Sequence, residues 1–270
     1  MKEHRGRLTK DGIRIYEQSD FAGMHAAGAL AARILDDMAE HVFVGQTTGA
    51  IDGLITQMVE DAGATSATIG YKGYQHASCI SVNHVVCHGI PGDKKLKDGD
   101  ILNIDVTVIV DGWYGDTSRM YVAGKLPRKA ERLIQVTHDA LFKGIEMVKP
   151  GNTFGDIGHA IQAYVEAQRM SVVRDFCGHG LGRVFHAPPN VLHYGRPGTG
   201  AVLEEGMIFT IEPMVNLGRP ETKTLADDWT AVTRDKSLSA QFEHSVGVTA
   251  DGVEIFTLSP GGKYHPTYSS

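Results

Sequence analysis

Cysteine is scarce in this chain: Cys79, Cys87 and Cys177 are the three in 270 residues, an odd number with no CxxC pair. A disulfide framework and a four-cysteine zinc site are thereby excluded, and single thiols fit a reducing compartment. Basic residues are outnumbered, 26 Lys+Arg against 32 Asp+Glu, a formal charge of −6 with 13 histidines uncharged. A dedicated nucleic-acid binder would carry the opposite imbalance. Long apolar runs are also missing. The longest, Ile101 to Val110, is interrupted by Asn103, Asp105 and Thr107, and a membrane span needs ~20 uninterrupted residues. The polar stretch Met1 to Arg14 leads into no signal-peptide core. The chain therefore reads as cytoplasmic, with neither DNA nor membrane as partner.

What remains is ordinary globular composition, 42% hydrophobic and 21% charged, with enough length to bury roughly three quarters of its unfolded surface. Glycine is the exception, 32 residues where ~7 per cent is usual, which implies many tight turns and close backbone approaches.

Apolar periodicity predicts four helices. The first runs from Ser19 to about Val42, the second from near Thr48. The third spans about Pro127 to Val148, with Pro127 in its first turn and Pro150-Gly151 stopping it. The fourth starts near Thr153. Strand-like segments follow each helix pair: Cys79–Val82, Ile101–Val110 and Trp113–Val122 after the first, then Met207–Val215, Gln241–Val248 and Val253–Leu258. The order repeats, so a duplication is expected. Gly45 to Asp52 aligns with Gly151 to Gly158 with four identities in eight. A polar tail of about residues 1–14 precedes halves of about 15–125 and 126–258. No Pro/Gly/Ser-rich linker divides them, so one domain sharing one core is expected.

The richest stretch surrounds Asp111-Gly112, the strongest short hairpin signal, a type I′ turn. With those two residues as the loop, Val110 faces Trp113 and Thr107 faces Asp116. Asp105 then lies on the same face as Thr107, a diagonal neighbour of Asp116 within roughly 7–8 Å. Two carboxylates among apolar residues repel unless a positive charge lies between them; a solvated sheet edge is the plainer alternative. Three further clusters weigh against that alternative. His179 stands between Gly178 and Gly180, and Glu212 and Glu243 each sit in an apolar strand-like segment.

Read in order, these pieces resemble the bacterial type I methionine aminopeptidases. The resemblance rests on Cys79-Ile80-Ser81-Val82-Asn83, Val85 to Pro91, Asn103 to Thr107, Gly115-Asp116-Thr117, Gly178 to Gly182, Phe185-His186, Thr210 to Met214 and Gln241 to His244. It covers Ser19 to about Leu258. It implies the α+β pita-bread fold, two pseudo-symmetric halves with helices covering the outer face of a curved antiparallel sheet. It further implies a metal-dependent hydrolase that removes the N-terminal methionine of nascent chains when the second residue is small. The implied mechanism is attack on the first peptide bond by a hydroxide shared between two metals.

The implied metal ligands are Asp105, Asp116, His179, Glu212 and Glu243, with Asp116 and Glu243 bridging. Charge counting agrees, since four carboxylates are neutralised by two divalent ions. Oxygen-rich ligation with one imidazole suits Mn²⁺, Fe²⁺ or Co²⁺. By resemblance, Glu212 also carries a proton, while His88 contacts the scissile nitrogen and His186 the carbonyl oxygen. Tyr71, Tyr74, Cys79, Phe185 and Trp229 would form the methionine pocket, aromatic and sulfur-bearing as a thioether requires; otherwise they read as core. A monovalent cation site would use Asn83 with the carbonyls of Val85 and Ser239. His76, His84, His159 and His193 are assigned surface or structural places. Cys79 has no His–Asp partner to activate it, so it is no nucleophile.

The sequence departs from the family pattern at His84, at Gln75-His76 and at Ala187-Pro188, all expected on the rim. Transient ribosome association, with Lys2, Arg5, Arg7, Lys10 and Arg14 as one contact candidate and a solvated tail as their plainer reading, a monomeric state, and retention of Met1 before the large Lys2 complete the expectations. The rivals are an X-Pro dipeptidase or aminopeptidase P on the same fold, and a non-catalytic protein that kept the fold.

Overall fold

The computed structural model describes residues 6–263; Met1, Lys2 and Arg5 lie outside the described residues. Helix α1 (Phe21–Met38) and helix α2 (Thr48–Asp61) precede one set of strands, and α3 (Arg128–Ile145) and α4 (Phe154–Ala167) precede the other. Helix α1 is shorter than its apolar period suggests: the chain turns after Met38, with Ala39 and Val42 still packed against the cluster beneath it. Pro127 caps α3 from outside the helix, as its missing N–H allows.

In the first half, Asp100–Val110 and Trp113–Ala123 form one antiparallel hairpin with eleven paired positions. Asp111 and Gly112 both have positive φ, the type I′ geometry. Val110 pairs with Trp113 and Thr107 with Asp116, the expected register. Ser78–Val82 and the short Thr65–Ser66 line the other edge of Asp100–Val110.

In the second half, two strands read as continuous are each broken. Met207–Val215 resolves into Ile208–Ile211 and Met214–Asn216, and Gln241–Val248 into Ser239–Gln241 and His244–Val248. The interruptions face each other, since Ile211 pairs with His244 and Met214 with Gln241. Pro213 has no N–H for a ladder, and at both breaks the chain crosses between a five-stranded sheet and a three-stranded one. The last strand, Val253–Ile255, also stops earlier than Leu258.

The halves join at their middle strands. Ser118 bridges Glu243, the Ser245 hydroxyl donates to the Asp116 carbonyl at 2.6 Å, and the Thr117 hydroxyl to the Glu243 carbonyl at 2.7 Å. Beneath α1 and α2 lies one apolar cluster and beneath α3 and α4 another, the latter also taking in Ile101 and Met120 of the first half. This is the α+β pita-bread arrangement.

Both halves begin their second helix with the same hydrogen bonds. Gly45 donates to Leu96 and Gly151 to Leu203; Leu96 returns a bond to Gln46, and Leu203 to Asn152. Thr47 bridges Lys95 as Thr153 bridges Val202. Gly49 donates to Gly92 and Gly155 to Thr199. The four identities between the segments thus mark equivalent places.

Candidate active site

Four carboxylates meet where the halves join. Asp105 and Asp116 come from the unbroken hairpin, Glu212 and Glu243 from the two strand breaks. Asp116 and Glu243 are buried, which excludes a solvated sheet edge. One ligand-capable atom from each of Asp116, His179 and Glu243 lies within 4.8 Å of the others. His179 Nε2 is 3.5 Å from Asp116 and 3.7 Å from Glu212. Burial pushes Asp105 well above the usual carboxylate range, and the Asp116 and Glu212 charges push it further. Glu243 is raised in the same way, by burial and then by Asp116 and Glu212. These acids lie close to one another and to the His179 imidazole. A divalent cation satisfies such a donor set, three or four hard oxygens with one nitrogen.

The surrounding chain holds these groups in place. The Thr107 hydroxyl donates to Asp116 at 2.7 Å. The Thr210 hydroxyl accepts from the His179 N–H at 3.0 Å and donates to Glu212 Oε1 at 2.9 Å, so one side chain fixes two others. The glycines beside His179 serve packing between strands. A Cβ on Gly178 would lie 2.3 Å from the Thr210 carbonyl, and one on Gly180 2.1 Å from that of Pro188. They let strand Gly178–Gly180 fit between Ala187–Val191 and Ile208–Ile211, which brings His179 to the acids.

A cavity of about 980 Å³ opens over the carboxylates. Tyr71, Tyr74, Cys79, Phe185 and Trp229 all line it, as do His88 and His186. Tyr71 packs on Phe185 with ring centroids 4.9 Å apart and stacks on His186 at 5.2 Å; Tyr74 packs on Trp229 at 5.0 Å. The Tyr74 hydroxyl donates to the Ser78 carbonyl. Burial and the nearby Asp105 raise the Cys79 thiol, so it stays protonated. His88 has a left-handed backbone, φ 57°, a cost that clusters at functional positions. Burial lowers its pKa, and burial plus the neighbouring His179 lower His186 to about 4. Both rings are therefore neutral at pH 7, each with one N–H to donate.

The model of metallopeptidase family M24 matches residues 22–250. This chain belongs to metallopeptidase family M24. The methionine aminopeptidase of Rickettsia prowazekii (strain Madrid E) is 57% identical over 257 residues, 95% of this chain and 99% of that one. The methionine aminopeptidase of Escherichia coli (strain K12) is 52% identical over 91% of this chain and 94% of its own. The crystal structure of the Rickettsia prowazekii enzyme superposes with a TM-score of 0.90 at 58% identity, covering 91% of this chain and all of that one.

Some residues at this M24 site were given no role from the sequence. His193 is fully buried and its Nε2 accepts the Glu212 N–H at 3.0 Å, so its structural place adjoins the site. Gln241 donates to Glu212 Oε2 at 3.3 Å. Cys87, Cys177 and Phe176 join Cys79 in the cavity wall. A signal existed: Cys87 directly precedes His88, and Phe176-Cys177 runs into the His179 motif. His76, off the motifs, bonds Asp52 at 3.1 Å. For the cation site, Ser239 N–H donates to the Asn83 carbonyl, while the Asn83 side chain is engaged by Asp100 and Ile101. The Asn83 carboxamide is thus already partnered. Arg7 is paired with Glu204 at 2.5 Å.

Proposed function

We propose that this M24 protein is a methionine aminopeptidase, removing the first methionine of polypeptides whose second residue is small. The observation that carries the reading is the 57% identity to a methionine aminopeptidase along nearly the whole chain, joined to a buried carboxylate–imidazole cluster beneath an aromatic and sulfur-lined cavity. The halves 15–125 and 126–258 act as one catalytic unit, because each supplies two of the acids.

Asp105, Asp116, His179, Glu212 and Glu243 would hold two divalent ions, with Mn²⁺, Fe²⁺ or Co²⁺ matching the oxygen-rich donors. Bound there, the ions would acidify a water and polarise the scissile carbonyl. The residues of the chain do the rest. Tyr71, Tyr74, Cys79, Phe185 and Trp229 receive the methionine side chain and exclude water around it. Neutral His88 accepts from the scissile N–H through its unprotonated ring nitrogen, and neutral His186 donates towards the carbonyl oxygen as charge grows there. Glu212, its pKa raised by burial, takes a proton from the attacking water and passes it to the leaving amine. Asn83, Val85 and Ser239 remain the proposed monovalent cation site, with main-chain carbonyls as its oxygens. Nascent chain ends are the proposed substrates, met at the ribosome by a monomer in the cytoplasm.

Release of methionine from Met-Ala-Ser in the presence of Mn²⁺ or Co²⁺, with Ala-Pro-Ser left intact, is the expected result. Cleavage of Ala-Pro-Ser alone would transfer the protein to the X-Pro peptidases.

A further inference from the structure

Three of the five proposed pocket residues, Tyr71, Tyr74 and Cys79, lie on one short segment that begins at Thr68. Hydrogen bonds within the segment fold it back on itself. The Gly70 N–H donates to the Tyr74 carbonyl at 2.7 Å, and the Tyr74 N–H to the Tyr71 carbonyl at 2.9 Å. The Thr68 hydroxyl closes the loop on the His76 carbonyl at 2.7 Å. A side chain of helix α2 ties this loop to the body of the molecule. Asp52 is buried and receives three hydrogen bonds from it. The Ser78 N–H and hydroxyl donate to Asp52 Oδ1 at 2.9 and 2.7 Å, and His76 Nδ1 lies 3.1 Å from Oδ2. A carboxylate only accepts, so His76 carries its proton on Nδ1.

We propose that Asp52 and His76 are the positioning pair of the methionine pocket. The proposal rests on the aminopeptidase reading above. Two contacts carry the effect of the pair to Tyr74. Its hydroxyl donates to the Ser78 carbonyl at 2.8 Å, on the residue that Asp52 holds. Its ring meets the His76 ring edge-on, with centroids 5.6 Å apart, and then packs on Trp229. An aromatic side chain anchored at its hydroxyl keeps one orientation. Cys79 follows Ser78 directly and pairs with Asp105 on the neighbouring strand, so the same anchor sets the thiol in the wall. Neither Asp52 nor His76 lines the cavity, and each acts through the pocket side chains. The acids Asp105 and Asp116 are held by the hairpin register and by Thr107, independently of this loop. Loss of the pair therefore weakens methionine binding and spares the metal.

The test measures kcat and KM for Met-Ala-Ser with the Mn²⁺-loaded full chain, together with metal content and thermal unfolding. Asp52→Ala should raise KM about tenfold, the scale of a small misplacement of a binding group, with kcat and bound metal unchanged. His76→Ala should raise KM about threefold, the worth of one hydrogen bond. His76→Asn, whose amide N–H can take the place of Nδ1, should recover most of that loss. The His76 side chain is 31% exposed, so its variants decide the matter even where Asp52→Ala fails to fold. A folded His76→Ala protein with wild-type KM would overturn the proposal, whether or not its unfolding temperature dropped. So would His76→Asn no better than His76→Ala, or a loss of kcat and metal in step with KM. A wild-type chain that released no methionine would instead count against the aminopeptidase reading itself.

Discussion

The two halves begin their second helices with matching hydrogen bonds, yet they present their acids on differently built strands. Asp105 and Glu212 stand at equivalent places, each nine residues after the paired leucines Leu96 and Leu203. Asp116 and Glu243 are equivalent as well: each is followed two residues later by a serine, Ser118 and Ser245, and each strand's serine meets the other's acid backbone. In the first half both acids project from an unbroken hairpin. In the second both sit where a strand changes sheets. The matching places thus put four carboxylates around one point, while the breaks set Glu212, the proposed proton carrier, outside a continuous strand. Two repeated pairs of acids repel when brought together, and that repulsion is what a pair of divalent cations relieves.

Substitution at the equivalent acids separates the halves most strongly. Glu212→Gln should lower kcat by about 10²–10⁴ with circular dichroism unchanged. Asp105→Asn should weaken metal binding and regain part of its activity in excess Mn²⁺. If both variants lost the same activity and both recovered with metal, the two positions would share one role, and the proton-carrier assignment of Glu212 would fail.

Metal addition gives the next largest effect. In the metal-free protein Asp105 and Glu243 have raised pKa values, so between the ordinary carboxylate range and those raised values the folded state binds more protons than the unfolded. Stability is then greatest at low pH within that window and falls as pH rises through it. Divalent ions should reverse the loss by about 2.7 kcal/mol at a hundredfold excess over Kd. Thermal unfolding at pH 5 and pH 7.5, with and without Mn²⁺, reads this directly. An equal shift at both pH values would mean that the cluster is not the binding site.

Thr210 spans two of the ligand candidates. Thr210→Val removes both of its hydrogen bonds and should cost 10–100-fold in metal affinity, with Thr210→Ser close to wild type. Matching affinities in calorimetry would show that the hydroxyl contributes nothing. The smallest effects lie at the N-termini of α2 and α4, where the halves are alike. Thr47→Ala loses the bond from Ala50, and Asp156→Ala loses those from Thr153, each about 1 kcal/mol in denaturant unfolding. A large loss in only one half would show that these two helix starts are not energetically equivalent.

Legibility in the sequence follows the same division between the halves. The hairpin could be read to the residue, because Asp111-Gly112 admits one turn type and the register then follows from counting. The breaks at Glu212-Pro213 and Phe242-Glu243 could not. Local apolar runs look the same whether a strand continues in one sheet or crosses to another, and the crossing depends on partners far along the chain. Pro213 was the one local sign. The pocket aromatics carried no signal of their own apart from the family resemblance, since Tyr74 and Phe185 pattern like core. His193 was invisible for a related reason: its partner is a backbone N–H that the fold alone brings near.

If the two halves together build one divalent-metal centre that drives methionine release, metal content and activity must rise together in one sample. Metal analysis of the protein after anaerobic loading, paired with methionine release from Met-Ala-Ser by the same preparation, reads both. Two divalent ions per chain and metal-dependent release are the expected result. No bound divalent metal, and no methionine released with Mn²⁺ or Co²⁺ added, would rule such a centre out.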